Sequence, residues 1–236
     1  MINRFYNKAI AWIERERFVL LLLCTVLTMV LPAFSGSGKL SEIIFIITLS
    51  FLFIQSMVVA NAGKPPKTII KLIVVSMIAI TCLKPIGYDS VYAELIKLTF
   101  FTAFFIFVIS YLIRFVSRTP SVNVNVLITS INIYLLVGIV GATLSLAFYH
   151  LYPNAYTFPQ YIQHPVFVHF LYYSFITMST VGYGDIAPCI PETQTLAYLM
   201  SITGQLYVAI IIAFLIGKLL MKANENKPEQ TNRGHE

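Results

Sequence analysis

Long apolar runs separated by short polar stretches divide the chain. Six runs approach the roughly 20 residues a helix needs to cross a bilayer. They cover about residues 18–34, 42–60, 69–83, 98–117, 126–151 and 194–220. A seventh run, about 166–178, is too short to cross. It leads directly into TMSTVGYGD at 177–185, which sets glycine and polar residues between two membrane-length segments. SGSGK at 35–39 and GKPP at 63–66 read as turns. The pattern predicts an all-α integral membrane protein with six transmembrane helices. A short re-entrant helix and an irregular segment follow the fifth. Residues 2–17 place Ile2, Phe5, Tyr6, Ala9 and Ile13 at helical spacing, with Arg and Glu opposite. This is an interfacial helix with Trp12 near the headgroups, or an extension of the first span. The division is then 1–17 for this N-terminal helix and 18–119 for a four-helix membrane domain. A two-span domain occupies 120–220, and 221–236 is a polar tail that reads as disordered.

Composition agrees with a membrane protein. Hydrophobic residues make up 58% of the chain and charged residues 11%, against roughly 25% charged in soluble domains. Lys and Arg accumulate on the cytoplasmic side of short loops. With the N-terminus inside, Arg4, Lys8, Arg15, Arg17, Lys64, Lys67, Lys71, Arg114, Arg118, Lys218, Lys222, Lys227 and Arg233 all fall inside, and only Lys39, Lys84 and Lys97 fall outside. Both termini are therefore expected in the cytoplasm. The net charge of +6 reads as a topology signal, not as a nucleic-acid footprint. Ala33-Phe34-Ser35 loosely resembles a signal cleavage site, but the leader would be long and would carry Glu14 and Glu16. Cys24 and Cys82 read as apolar packing residues, and Cys189 as an unpaired loop thiol or a reactive one. No cluster has catalytic or metal-site spacing, so the reading is not an enzyme and has no cofactor.

Non-helical backbone at membrane depth is tolerated only where protein buries it or where it lines a water-filled path. Gly182 and Gly184 can take positive φ. Alternating them with Val181 and Tyr183 turns successive carbonyls to one side, and a column of carbonyl oxygens can replace the water around a cation. Here the sequence resembles the tetrameric potassium channels of the voltage-gated-like cation channel superfamily. TVGYG stands at 180–184, followed by Asp185 and preceded by a short apolar helix, and a final span carries Gly204. The resemblance covers about residues 126–220 and extends to the first four spans only by count. It implies that residues 120–220 form a pore domain of outer helix, pore helix, selectivity filter and inner helix. The carbonyls of Thr180, Val181, Gly182 and Tyr183, with the Thr180 hydroxyl, would bind dehydrated K+, with Gly184 completing the filter. Tyr172 and Tyr173 stand where many relatives carry two tryptophans, and with Asp185 they would brace the filter, or else pack as interface residues. Ile176 replaces a glutamate that some relatives use to bond the aspartate. Gly204 falls at the family's inner-helix hinge.

One chain supplies one filter strand, so the resemblance implies a cyclic homotetramer among membrane lipids in a plasma (inner) membrane, with K+ as permeant ion. In the fifth span, Gly138, Gly141 and Ala142 are small residues that let helices approach closely. The fourth span has no charge between Lys97 and Arg114, so it departs from the pattern of a voltage sensor, which needs repeated Arg or Lys. His150, His164 and His169 flank the outer side, as pH sensors or as polar residues at headgroup level. The expected function is passive potassium conduction without strong voltage gating. The alternative is a non-conducting regulatory or scaffold subunit that keeps the pore fold.

Overall fold

The computed structural model describes residues 16–34, 39–60, 91–119, 123–162 and 166–225. The expected third span at 69–83, most of the N-terminal helix, Cys82, His164 and residues 226–236 lie outside them. The described residues form six helices and one two-stranded sheet. In chain order these are α1 (Arg17–Phe34), α2 (Lys39–Ala60), α3 (Val91–Arg118), α4 (Val124–Leu151), β1 (Tyr156–Thr157), α5 (Phe167–Met178), β2 (Ala187–Pro188) and α6 (Pro191–Glu225). Among the described residues, three helices are long and apolar enough to cross a membrane: α3, α4 and Pro191–Gly217 of α6. α1 is 18 residues long and α2 is 22, and both are predominantly apolar in sequence.

Helix ends depart from the hydropathy boundaries in physically readable ways. α3 starts at Val91, ahead of the expected residue 98. Its added first turn carries Glu94, which pairs with Lys97 one turn later. α4 opens on Asn123, whose side chain accepts the Val126 N–H at 3.0 Å. α6 begins on Pro191, which is pre-set for the first helical position. It continues to Glu225, past the expected boundary at 220, because Lys222, Ala223 and Glu225 suit a helix leaving the apolar zone.

Aromatic and small residues join the helices. Phe53 of α2 sits among Phe101, Phe104 and Phe105 of α3, with centroids 5.1, 5.1 and 5.5 Å away. Phe18 of α1 meets Phe115 of α3 at 4.5 Å. α3 lies along α4, where the Thr102 and Thr143 hydroxyls share a hydrogen bond of 3.1 Å. Asn132 of α4 is buried and donates to the Phe18 carbonyl at 3.0 Å, tying α1 to the same helix. α5 packs on α4 at Gly138 and Gly141, as the small-residue pattern predicts, and Ala142 is buried on the same helix. A Cβ on Gly138 would lie 2.3 Å from Phe175 Cζ, and one on Gly141 would lie 2.5 Å from Ser174 Oγ. That closeness lets the Ser174 hydroxyl donate to the Gly138 carbonyl at 2.7 Å.

The loops on either side of α5 are stapled together by backbone. β1 and β2 are antiparallel, with Tyr156 opposite Pro188 and Thr157 opposite Ala187. The Ala155 carbonyl accepts both the Cys189 N–H at 2.9 Å and the Thr193 hydroxyl at 3.0 Å. The segment after α5 is thereby fixed at its far end to the loop that precedes α5.

Gly138→Ala forces Phe175 off its seat. The expected loss is about 1–3 kcal/mol, read as a lower unfolding midpoint in detergent. Gly217→Ala, where nothing lies within 4 Å of an added Cβ, leaves the midpoint unchanged or higher. Equal midpoints for Gly138→Ala and the wild type would refute the close packing.

Candidate functional site

α5 is 12 residues long. How it stops decides the geometry of everything after it. The Thr180 N–H donates to the Thr177 carbonyl at 3.0 Å, and the Val181 N–H to the Ile176 carbonyl at 3.0 Å. These are the two bonds of a Schellman cap, whose left-handed position is usually glycine. Here that position is Thr180, at φ 59°. The Gly182 N–H adds a third bond, again to the Ile176 carbonyl, at 3.1 Å. The terminal carbonyls of α5 are therefore met by the N–H groups of the segment that leaves it.

The left-handed conformation then recurs at every second residue. Gly182 has φ 52° and Gly184 φ 79°. A β-branched residue resists this region, so Thr180 is the strained member, whereas the two glycines adopt it freely. Among the described residues, the carbonyls of Thr180, Val181, Gly182 and Tyr183 accept no hydrogen bond. The segment is exposed in the single chain, Val181 at 52% and Tyr183 at 72%. What the arrangement offers is four uncommitted carbonyl oxygens on an exposed irregular segment, with the Thr180 hydroxyl beside the first.

The neighbouring residues divide into different roles. The Tyr172 hydroxyl donates to Asp185 Oδ2 at 2.8 Å, a charge-assisted bond between α5 and the end of the segment. Asp185 Oδ1 is buried with no partner among the described residues. Tyr173 turns the other way. It is buried, with its ring edge-on to Tyr156 at 5.3 Å, in a cluster with Phe158, Phe170 and Tyr149. Of the two tyrosines read as filter support, only Tyr172 meets Asp185. Ile176 contributes through its carbonyl.

Gly204 is buried in α6 against the end of α5. A Cβ there would lie 2.2 Å from the Met178 carbonyl oxygen and 2.9 Å from its carbon. α6 runs unbroken through this position. The next residue, Gln205, donates from Nε2 to Thr180 Oγ1 at 3.3 Å. Tyr207 donates to the Ser130 carbonyl at 2.6 Å and so holds α6 to α4. Apart from its place beside Gly204, nothing in the sequence singles out Gln205. Thr180 hides its backbone conformation because threonine is not a residue associated with positive φ. His169 is neither free nor paired with a charge. Its Nδ1 accepts the Val166 N–H at 3.0 Å and closes the first turn of α5. Cys189 is exposed with a free thiol.

Two expected outcomes follow from these contacts. Gly204→Ala meets backbone, which cannot swing aside as a side chain does. It lowers the unfolding midpoint at least as far as a typical overpacking change, about 1–3 kcal/mol, whereas a glycine needed only for bending would leave the midpoint in place. The second concerns acid. Burial holds the pKa of His169 below its ordinary 6.5, and only the neutral ring can accept the Val166 N–H. The stabilisation is complete above about pH 6.5 and is lost as pH falls through the lowered pKa. The slope of unfolding midpoint against pH in that window flattens in His169→Gln, and an unchanged slope would refute the cap.

Residues 126–221 match the model of a family described as "Ion channel". No curated protein and no solved structure matches the chain. The matched stretch runs from α4 through most of α6 and contains all of the site described above. The match covers less than half of the chain, and over that stretch the chain is similar to ion-channel proteins.

Proposed function

We propose that the protein is a potassium-selective channel, in which residues 180–184 of four identical chains surround a central pore. The observation that carries this reading is the left-handed conformation at Thr180, Gly182 and Gly184. It supports a strand whose carbonyls are all aimed at one axis. Desolvating a cation requires such oxygens in place of water, and several weak sites in a row allow exit as well as entry. Thr180, Val181, Gly182 and Tyr183 would supply the carbonyls, and Thr180 its hydroxyl as well. Tyr172 and Asp185 would brace the outer end. One strand per chain cannot enclose an ion, which favours cyclic symmetry with four copies. The exposure of Val181 and Tyr183 in one chain supports a surface that other copies complete.

Under this reading the chain crosses a plasma (inner) membrane six times, has both termini in the cytoplasm, and exchanges only lipids, K+ and its own copies as partners. Residues 18–119 would surround the pore without sensing voltage strongly, since α3 carries no charge between Lys97 and Arg114. Gating would arise at the filter or by bending of α6 near Gly204.

Purified protein in liposomes should pass K+ and retain Na+. Gly182→Ala, which places a side chain at φ 52°, should abolish the selectivity. Potassium and sodium passing alike in the wild type would overturn the reading. A folded tetramer that stays silent under every ionic and voltage condition would favour the non-conducting subunit instead.

A further inference from the structure

α6 meets the segment after α5 at two adjacent residues. Gly204 abuts the Met178 carbonyl, and Gln205 reaches the Thr180 hydroxyl at 3.3 Å. We propose that Gln205 is a positioning residue for the Thr180 hydroxyl, and that it sets how tightly the innermost site holds a dehydrated cation. This rests on the channel reading above and deepens it.

The chemistry follows from counting lone pairs. A threonine hydroxyl has one proton and two acceptor sites. The Gln205 amide N–H occupies one acceptor site. The other is left for a cation, and the hydroxyl proton is turned away from both. Without the amide, the hydroxyl rotates freely and can present its proton where the cation would sit. Among the described residues, Gln205 is the only side chain bonded to this hydroxyl. The nearby Ser179 hydroxyl is committed to the Phe175 carbonyl at 2.7 Å.

Two features make the contact more than a surface coincidence. Thr180 is the one non-glycine residue with positive φ among the described residues, so a tether on its side chain offsets conformational strain. The donor is also placed accurately. Its backbone neighbour Gly204 cannot move toward α5 without striking the Met178 carbonyl. One close approach therefore fixes both the C-terminus of α5 and the origin of the amide. Gln205 and Thr180 are both exposed in the single chain, so an apolar residue of equal length at 205 leaves the core packing alone.

The test is barium titration into the purified tetramer in sodium buffer, with K+ as competitor. Ba2+ is a divalent ion close to K+ in size, and binding is measured without any need for the pore to open. The wild type is expected to bind Ba2+ in competition with K+. Gln205→Met is expected to bind about tenfold more weakly, the scale of one hydrogen bond. The same loss appears in a Thr180→Ser background, which keeps the hydroxyl, and vanishes in a Thr180→Val background, which removes it. Equal affinity in Gln205→Met and wild type overturns the inference and leaves the channel reading standing. So does an equal loss in the Thr180→Val background, since that marks a packing effect. A wild type with no K+-competed barium binding overturns the channel reading and the inference together.

Discussion

The structure depends on how the short helix α5 ends. A helix leaves its last carbonyls unmet, and each needs a partner. α5 meets this demand by folding the following three N–H groups back onto Ile176 and Thr177. The return requires a left-handed residue, and it is this turn that directs the chain into the irregular segment with positive φ at Thr180, Gly182 and Gly184. The N–H groups of Thr180, Val181 and Gly182 are spent on the helix, and the carbonyls of 180–183 are left open. On the channel reading, this excess of oxygen acceptors on exposed backbone is where a cation would sit. The strained Thr180, costing on the order of 1–3 kcal/mol, is held by its own N–H bond to Thr177 and by the Gln205 amide.

The rest of the fold holds α5 still. It is gripped from one side by α4, through Gly138, Gly141 and the Ser174 hydroxyl, and from the other by α6, through Gly204. Glycine contacts bring backbones together at close range and leave little room for rotation about the helix axis. The peripheral helices support α4 in turn. Asn132 reaches α1, Thr143 reaches α3, and both contacts lie within one chain. Residues 119–123 join α3 to α4, and five residues span at most about 18 Å, so the connector itself keeps these two helices neighbours. A displacement of α1 or α3 is thus passed to α4, and from α4 to the glycines under Phe175 and Ser174.

Much of this was legible in the sequence because it follows from period and composition. The apolar runs located α3, α4 and α6, the small residues of the fifth run located the α4–α5 contact, and the glycines of 180–184 located the irregular strand. Other features depend on direction, which sequence spacing alone does not give. Tyr172 and Tyr173 are adjacent, so on a helix they point about 100° apart. One faces Asp185 and the other the Tyr156 cluster. The left-handed Thr180 was hidden because the cap geometry, not the residue type, dictates it. Gln205 was hidden because its partner lies 25 positions earlier in the chain. Gly204 was legible as a special residue but not as a packing one, since the same absence of a side chain serves bending and close approach alike.

That double use bears on how α6 can work. Gly204 is in van der Waals conflict with any Cβ at its position, so the helix is clamped to α5 at the residue where it would bend. Toward its C-terminal end α6 is largely uncovered, with Ile210, Ile212 and Ile216 exposed and open space around Gly217. A helix fixed at one point and bare beyond it moves most easily toward its bare end. On the channel reading, motion of the inner part of α6 therefore leaves the clamp intact and changes the filter only through what Gln205 transmits to Thr180. Filter and inner helix would then be joined by one rigid contact and one hydrogen bond, so the hydrogen bond is the softer of the two links.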